Sequence, residues 1–243
     1  MSLYAWVLSG IFVVSAVTFV TLLFVDAPYG RHRRAGWGIA LSPRWAWVLM
    51  EAPAALSIAL MAMYGESRDA FGLFFLGLWE LHYLYRTLVY PWMIRDGDRR
   101  SFPLVLIAIA VLYNAANGYV NGYHLFVAAD RYTAAWITDP RFIIGILLFA
   151  AGAVTHVGSD RILQRLRSGS SSGYAIPRGG MFRYVSCPNY LGEMVQWFGF
   201  ALATWSLAGL SFAVFTTANL RPRALANHRW YRRTFPEYPD QRK

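Results

Sequence analysis

Apolar residues run in long, almost unbroken stretches along this chain, and short segments between them hold nearly all the charge. A helix rises 1.5 Å per residue, so a run of roughly 20 apolar residues matches the hydrocarbon thickness of a bilayer. The pattern predicts an all-α, polytopic membrane protein with seven transmembrane helices. The spans fall at about residues 4–25, 44–64, 70–94, 102–121, 140–164, 190–205 and 207–219. The last two form a hairpin about the short turn "SLAG". Between the fifth and sixth lie the low-complexity stretch "SGSSSGY" (168–174) and a segment punctuated by Pro and Gly. No internal repeat is evident.

Composition supports this reading. The 243 residues are 56% hydrophobic and only 15% charged, against roughly a quarter charged in soluble domains. The net charge of +10 would suit nucleic acid, but its distribution points to a membrane. With the N-terminus outside, 19 of the 23 basic residues fall in the cytoplasmic segments and adjoining span ends, which is the asymmetry of the positive-inside rule. An odd number of spans then leaves the C-terminus in the cytoplasm. The first run follows "MSLY", lacks a basic leader and reads as an uncleaved span. The single cysteine, Cys187, excludes an internal disulfide.

Ionisable groups at membrane depth are expensive and face a cavity or a partner. Glu51 lies about seven residues into the second span, roughly 10 Å from its cytoplasmic end. Tyr83 lies roughly 16 Å from the cytoplasmic end of the third. Antiparallel neighbours bring such residues together. A phenol and a protonated carboxyl in a dry pocket can both donate to one carbonyl oxygen. The alternative is a structural ion pair between Glu51 and Arg86. Glu80, Tyr83, Thr87 and Tyr90 share one helical face at i, i+3, i+7 and i+10. Asn114, Asn117 and Asn121 form a second stripe, which either glues helices together or lines a polar cofactor slot. His156 and Asp160 have metal-ligand spacing, but no second cluster completes four ligands, so no metal is expected.

The last cytoplasmic loop and the tail hold Arg167, Tyr174, Arg178, Asn189, Glu193, Arg223, Asn227, His228 and Tyr231. Arginines among aromatic and amide groups suit a phosphorylated, adenine-containing ligand. They equally suit a basic belt against anionic lipid headgroups. No Rossmann fingerprint or P-loop is present.

Six stretches carry a family resemblance. They are "MEAP" (50–53), "HYLYRTLVYP" (82–91), "HVGSDRILQRLR" (156–167), "YAIPRGGMFRYVSCPNYLGE" (174–193), "WFGFALATWSLAGLSFAVF" (197–215) and "HRWYRRTFPEYPDQRK" (228–243). In these the chain resembles the steroid 5-alpha-reductase family over residues 44–243. That resemblance implies a seven-span, NADPH-dependent enzyme reducing the double bond of 3-oxo-4-ene steroids. It places the carbonyl-binding pair on Glu51 and Tyr83. It places cofactor contacts on Asp160, Arg167, Tyr174, Asn189, Tyr231 and Arg242, with Glu193 and Arg223 in the same matched stretches. Asn117 and His228 join the cofactor candidates. Two positions depart from the family pattern: Met50, where a Gln is frequent, and Asn227, where a His is common.

The expected protein is thus a single reductase domain spanning residues 1–243, with segments 165–189 and 220–243 closing the cofactor site. It acts on a steroid or related lipid enone among membrane lipids, as a monomer that binds no nucleic acid. Its site opens to the cytoplasm from a bacterial inner membrane or an endoplasmic-reticulum-like membrane. Two rivals stand beside it. A membrane methyltransferase using S-adenosylmethionine would need no carbonyl-polarising pair, and a seven-span transporter would need no cofactor. A retinal-binding receptor is excluded, because the only lysine is Lys243 and no Schiff base can form within a span.

Overall fold

Without water to satisfy backbone groups, an apolar run folds on itself as a helix, and each predicted run does so. The computed structural model describes residues 2–32, 34, 36–94, 101–128, 132–168 and 174–243; the side chains of Arg167 and Ser168 lie outside that description. The loop at 95–100 and most of the "SGSSSGY" stretch lie outside it too. The helices are α1 (Leu3–Phe24), α2 (Pro43–Tyr64), α3 (Ala70–Leu84), α4 (Leu104–Phe126), α5 (Pro140–Ser168), α6 (Pro188–Thr204) and α7 (Leu207–Thr234). By length and composition, α1, α2, α4 and the Pro140–Leu166 stretch of α5 can each cross a membrane. A two-residue ladder, β1 (Ala40–Leu41) with β2 (Phe102–Pro103), ties together the segments leading into α2 and α4. Periodicity gives no sign of a ladder this short.

Three helix limits differ from expectation. The third span was expected to run to about residue 94, but α3 stops at Leu84 and continues as a π turn (Tyr85–Val89) and a 3-10 turn (Tyr90–Met93). Pro91, which cannot donate a backbone hydrogen bond, sits in that second turn. The seventh span was expected to end near 219, but α7 continues to Thr234 with Pro222 inside it. Its continuation is rich in Ala, Leu and Arg, strong helix formers that need no membrane to stay helical. α4 runs to Phe126, where it was expected to end at about 121. The expected hairpin is present: Trp205 closes α6 in the left-handed region at φ 45°, and the Ser206 hydroxyl caps α7 by accepting from the Gly209 N–H at 2.9 Å.

Two kinds of packing hold the bundle. An aromatic core of Phe75, Trp79, Trp197, Phe200 and Phe212 joins α3, α6 and α7. Between α5 and α6 the backbones themselves touch. A Cβ at Gly152 would lie 2.3 Å from the Gln196 amide nitrogen, and one at Gly192 would lie 2.5 Å from that of His156. Small residues allow this approach, the usual device for close helix pairs in membranes. We expect Gly152→Val to force the two helices apart, at a cost of at least about 1–3 kcal/mol. A lowered unfolding midpoint in detergent would show it.

Candidate functional site

One cavity of about 510 Å³ opens into the bundle. Its apolar wall comes from Val14 and Val17 of α1, Ile109 and Tyr113 of α4, and Phe212 and Phe215 of α7. Its polar wall comes from α2, the π turn, α5, α6 and the far half of α7. Glu51 and Tyr83 both line it. Tyr83 is wedged among aromatic rings, its centroid 5.0 Å from Trp79 and 6.0 Å from Trp197.

The π turn sets the polar side. Such turns insert an extra residue and are frequent at functional sites. Here Tyr83, Arg86 and Tyr90 reach the cavity, whereas Glu80 and Thr87 of the expected face are not among its lining residues. Arg86 Nη2 donates to Glu51 Oε1 at 3.1 Å, and Nη1 lies 4.0 Å from Asp160 Oδ2. Its guanidinium stacks over Trp47 at 4.1 Å and Tyr90 at 5.0 Å. The ion pair between Glu51 and Arg86 is therefore formed, and the same carboxylate still faces the cavity.

A second set of contacts continues from Asp160. Asn189 Nδ2 donates to Asp160 Oδ1 at 3.1 Å. His156 is enclosed by Asp160 and Glu193, each at 3.6 Å, with the Asn189 carbonyl 3.2 Å from its Nδ1. His82 meets Gln196 Nε2 at 3.1 Å. His156 and Asp160 thus serve a hydrogen-bonded polar network that joins α5 to α6. Asp160, Asn189, Glu193, Arg223 and Tyr231 all line the main cavity.

A smaller annex of about 150 Å³ shares Tyr29, Arg31, Tyr190, Arg223 and Asn227 with the main cavity and adds Tyr174. Arg31 was missed at the sequence level. Its guanidinium lies over Tyr174 at 5.1 Å, Trp230 at 4.6 Å and Tyr231 at 4.7 Å, and its buried Nη1 has no hydrogen-bond partner among the described residues. The cage comes from residues about 140 to 200 positions further on, so nothing local marks it. Arg223 lies over Tyr29 at 5.1 Å and donates to the Tyr190 hydroxyl at 3.2 Å. Beside them, burial pushes the Cys187 thiol up to about 11, against opposing pulls from Arg31, Asn227 and Arg223. We expect Cys187 to remain a thiol at pH 8 and to react with iodoacetamide far more slowly than a free cysteine; mass spectrometry of timed samples measures this.

Asn117, His228 and Arg242 are not among the lining residues of either cavity. Asn117 is fully buried in α4 and accepts from Asn121 Nδ2 at 3.0 Å, while Asn114 Nδ2 donates to the Met50 carbonyl at 2.5 Å. In this stripe, Asn114 joins α4 to α2 and Asn117 with Asn121 stabilises α4 itself. His228 Nδ1 meets Ser186 Oγ at 2.6 Å, and Tyr238 donates to the same hydroxyl at 2.7 Å. Arg242 is buried over the Tyr238 ring, with Nε and Nη1 unpartnered among the described residues. These last groups fasten the chain's final segment to the turn before α6: Ser186 N–H donates to the Lys243 carbonyl at 2.7 Å. Asn227 Oδ1 takes part in a 3.2 Å hydrogen bond with His32.

Fold and site together define a helical membrane protein with an apolar-walled chamber and a cationic, aromatic second compartment. Its sequence matches the profile of 3-oxo-5-alpha-steroid 4-dehydrogenase over residues 100–243. It is 40% identical over 232 residues to a steroid 5-alpha-reductase of Arabidopsis thaliana, covering 93% of this chain and 88% of that protein. It is 39% identical to the Bos taurus 3-oxo-5-alpha-steroid 4-dehydrogenase 1, covering 95% of this chain and 90% of the relative. It is 40% identical to the Homo sapiens protein of that name, at 90% and 84% coverage. The chain belongs to the 3-oxo-5-alpha-steroid 4-dehydrogenase family.

Proposed function

We propose that this protein uses NADPH to reduce the 4,5 double bond of a 3-oxo-4-ene steroid or a related lipid enone. The observation that carries the reading is a single cavity with three parts: an apolar wall, the Glu51 and Tyr83 side chains, and an arginine-rich end. The apolar wall suits a steroid skeleton. The other end suits a dinucleotide: Arg31 keeps a buried N–H without a partner, Arg223 adds a second cation, and tyrosine rings offer stacking faces. Asp160, Asn189, Glu193 and Tyr231 line the same space, and Tyr174 closes the annex.

NADPH, when bound, supplies the hydride. The protein polarises and positions. Tyr83 and Glu51 donate hydrogen bonds to the ketone oxygen and stabilise the negative charge that develops there. The beta carbon of the enone thereby becomes the electrophilic centre. Glu51 donates only when protonated, and it now accepts from Arg86; Asp160, 4.0 Å from Arg86, is the acceptor to which the guanidinium can turn. Exclusion of water by the apolar wall strengthens these contacts. The alpha carbon takes a proton from water or a side chain of the chamber, which completes the saturated ketone.

In the membrane, α3, α6 and the first half of α7 complete seven crossings with α1, α2, α4 and α5, with the N-terminus outside and the C-terminus in the cytoplasm. The basic loops support this orientation. The whole chain acts as one domain and as a monomer, with residues 165–189 and 220–243 around the cofactor and the site open to the cytoplasm of a bacterial inner membrane or an endoplasmic-reticulum-like membrane. Absorbance-monitored oxidation of NADPH by the pure protein, against 3-oxo-4-ene steroids and linear enones, tests the reading. We expect enone-dependent oxidation. Tight binding of S-adenosylmethionine with no such oxidation would favour the methyltransferase instead.

A further inference from the structure

We infer that Gln164 recognises a planar donor–acceptor edge of the bound dinucleotide, a role that rests on the reductase reading above. His156, Asp160 and Gln164 recur at i, i+4 and i+8, so they share one face of α5, and all three line the main cavity. The first two have protein partners on α6. Gln164 has none among the described residues: both Nε2 and Oε1 are buried, and neither makes a hydrogen bond there. Buried polar groups are nearly always paired, because an unmade hydrogen bond is costly. A carboxamide with both ends unmade, on a residue that lines the cavity, is prepared for a ligand that supplies both partners.

The chemistry of that ligand follows from the carboxamide. It presents N–H donors and a carbonyl acceptor side by side. Phosphate offers acceptors only, and a steroid ketone offers a single acceptor. The matching partner carries a donor and an acceptor side by side, as in the N6 amino group and N7 of adenine, which Gln reads in nucleic acids, or in another carboxamide. NADPH has both: the adenine ring and the nicotinamide amide.

Position separates this role from ketone binding. Arg86 touches Glu51 and lies within 4.0 Å of Asp160, which sets the carbonyl-binding pair near the Asp160 level. Gln164 is one turn further along α5, roughly 6 Å toward its C-terminal end. It therefore faces the cofactor and leaves the enone to Glu51 and Tyr83. At the sequence level Gln164 is one polar residue among the charges of "SDRILQRLR", with nothing to distinguish it.

The test compares NADPH with two reduced analogues. In the deamino analogue the adenine amino group is an oxo group, which leaves two acceptors, O6 and N7, on that edge. In the 3-acetylpyridine analogue the carboxamide has lost its N–H donors. KM and kcat, and the dissociation constants without enone by quenching of tryptophan fluorescence, are measured for all three with wild type, Gln164→Leu and Gln164→Glu. Leu keeps the side-chain volume without polar atoms; Glu keeps the shape without the donor and serves if the Leu variant does not fold. We expect wild type to disfavour one analogue by about tenfold or more. Gln164→Leu should raise KM for NADPH about tenfold and erase that discrimination. The analogue whose penalty vanishes identifies the edge that is read. Equal use of all three by wild type, or wild-type penalties persisting in both variants, would overturn the assignment and leave Gln164 a residue that binds water. If wild type oxidises no NADPH with any enone, the reductase reading itself fails, which is a separate result.

Discussion

Glu51→Gln and Tyr83→Phe should each lower kcat by at least about a hundredfold, the usual loss when one donor to a developing oxyanion is removed. Both side chains line the cavity, and each substitution preserves shape. Tyr83→Phe removes only the hydroxyl, so the packing against Trp79 and Trp197 stays. Affinity for NADPH should stay within a few-fold, because the cationic end is untouched. The measurements are initial rates with a saturating enone and NADPH binding by fluorescence, with unfolding midpoints to verify folding. Near-normal turnover in both variants would remove the carbonyl-polarising role and with it the proposed mechanism.

The largest effect on stability should come from Arg86→Met. Arg86 is 7% exposed and supports two carboxylates on different helices, Glu51 of α2 and Asp160 of α5. Removing one partner of a buried ion pair leaves uncompensated charge, typically at a cost of 3–5 kcal/mol. Arg86→Met should therefore unfold far more easily in detergent, or accumulate poorly. Adding Glu51→Gln removes one stranded carboxylate and should restore part of the loss. The double-mutant cycle gives the coupling directly. If Arg86→Met alone melts with the wild type, the network adds nothing to stability.

Legibility in the sequence varied with the range of the signal. Local signals read well: the runs that became α1, α2, α4 and α5, the α6–α7 hairpin and the polar positions Glu51, Tyr83 and Asp160 were visible as hydropathy or as charge at depth. The end of α3 was not visible, because a π turn keeps the same apolar composition as a helix and changes only the hydrogen-bond step. The length of α7 was obscured for a different reason. Its second half leaves the apolar pattern but keeps its helix-forming residues, so hydropathy ended where the helix did not. The Asn stripe in α4 had two readings on spacing alone, and neighbours such as the Met50 carbonyl favour helix-to-helix contact. Arg31 was beyond reach, since its aromatic enclosure is made entirely by long-range contacts.

The glycine seam between α5 and α6 leaves the bundle mechanically lopsided. Two backbones in direct contact have no soft side-chain layer through which to slide, so that pair behaves as a stiff slab carrying His156, Asp160, Asn189 and Glu193. On the opposite wall α1 buries only Ile11 and Ser15 while lining the chamber with Val14 and Val17. The polar groups that must hold their alignment therefore sit on that slab, while α1 contributes Val14 and Val17 to the chamber's apolar wall.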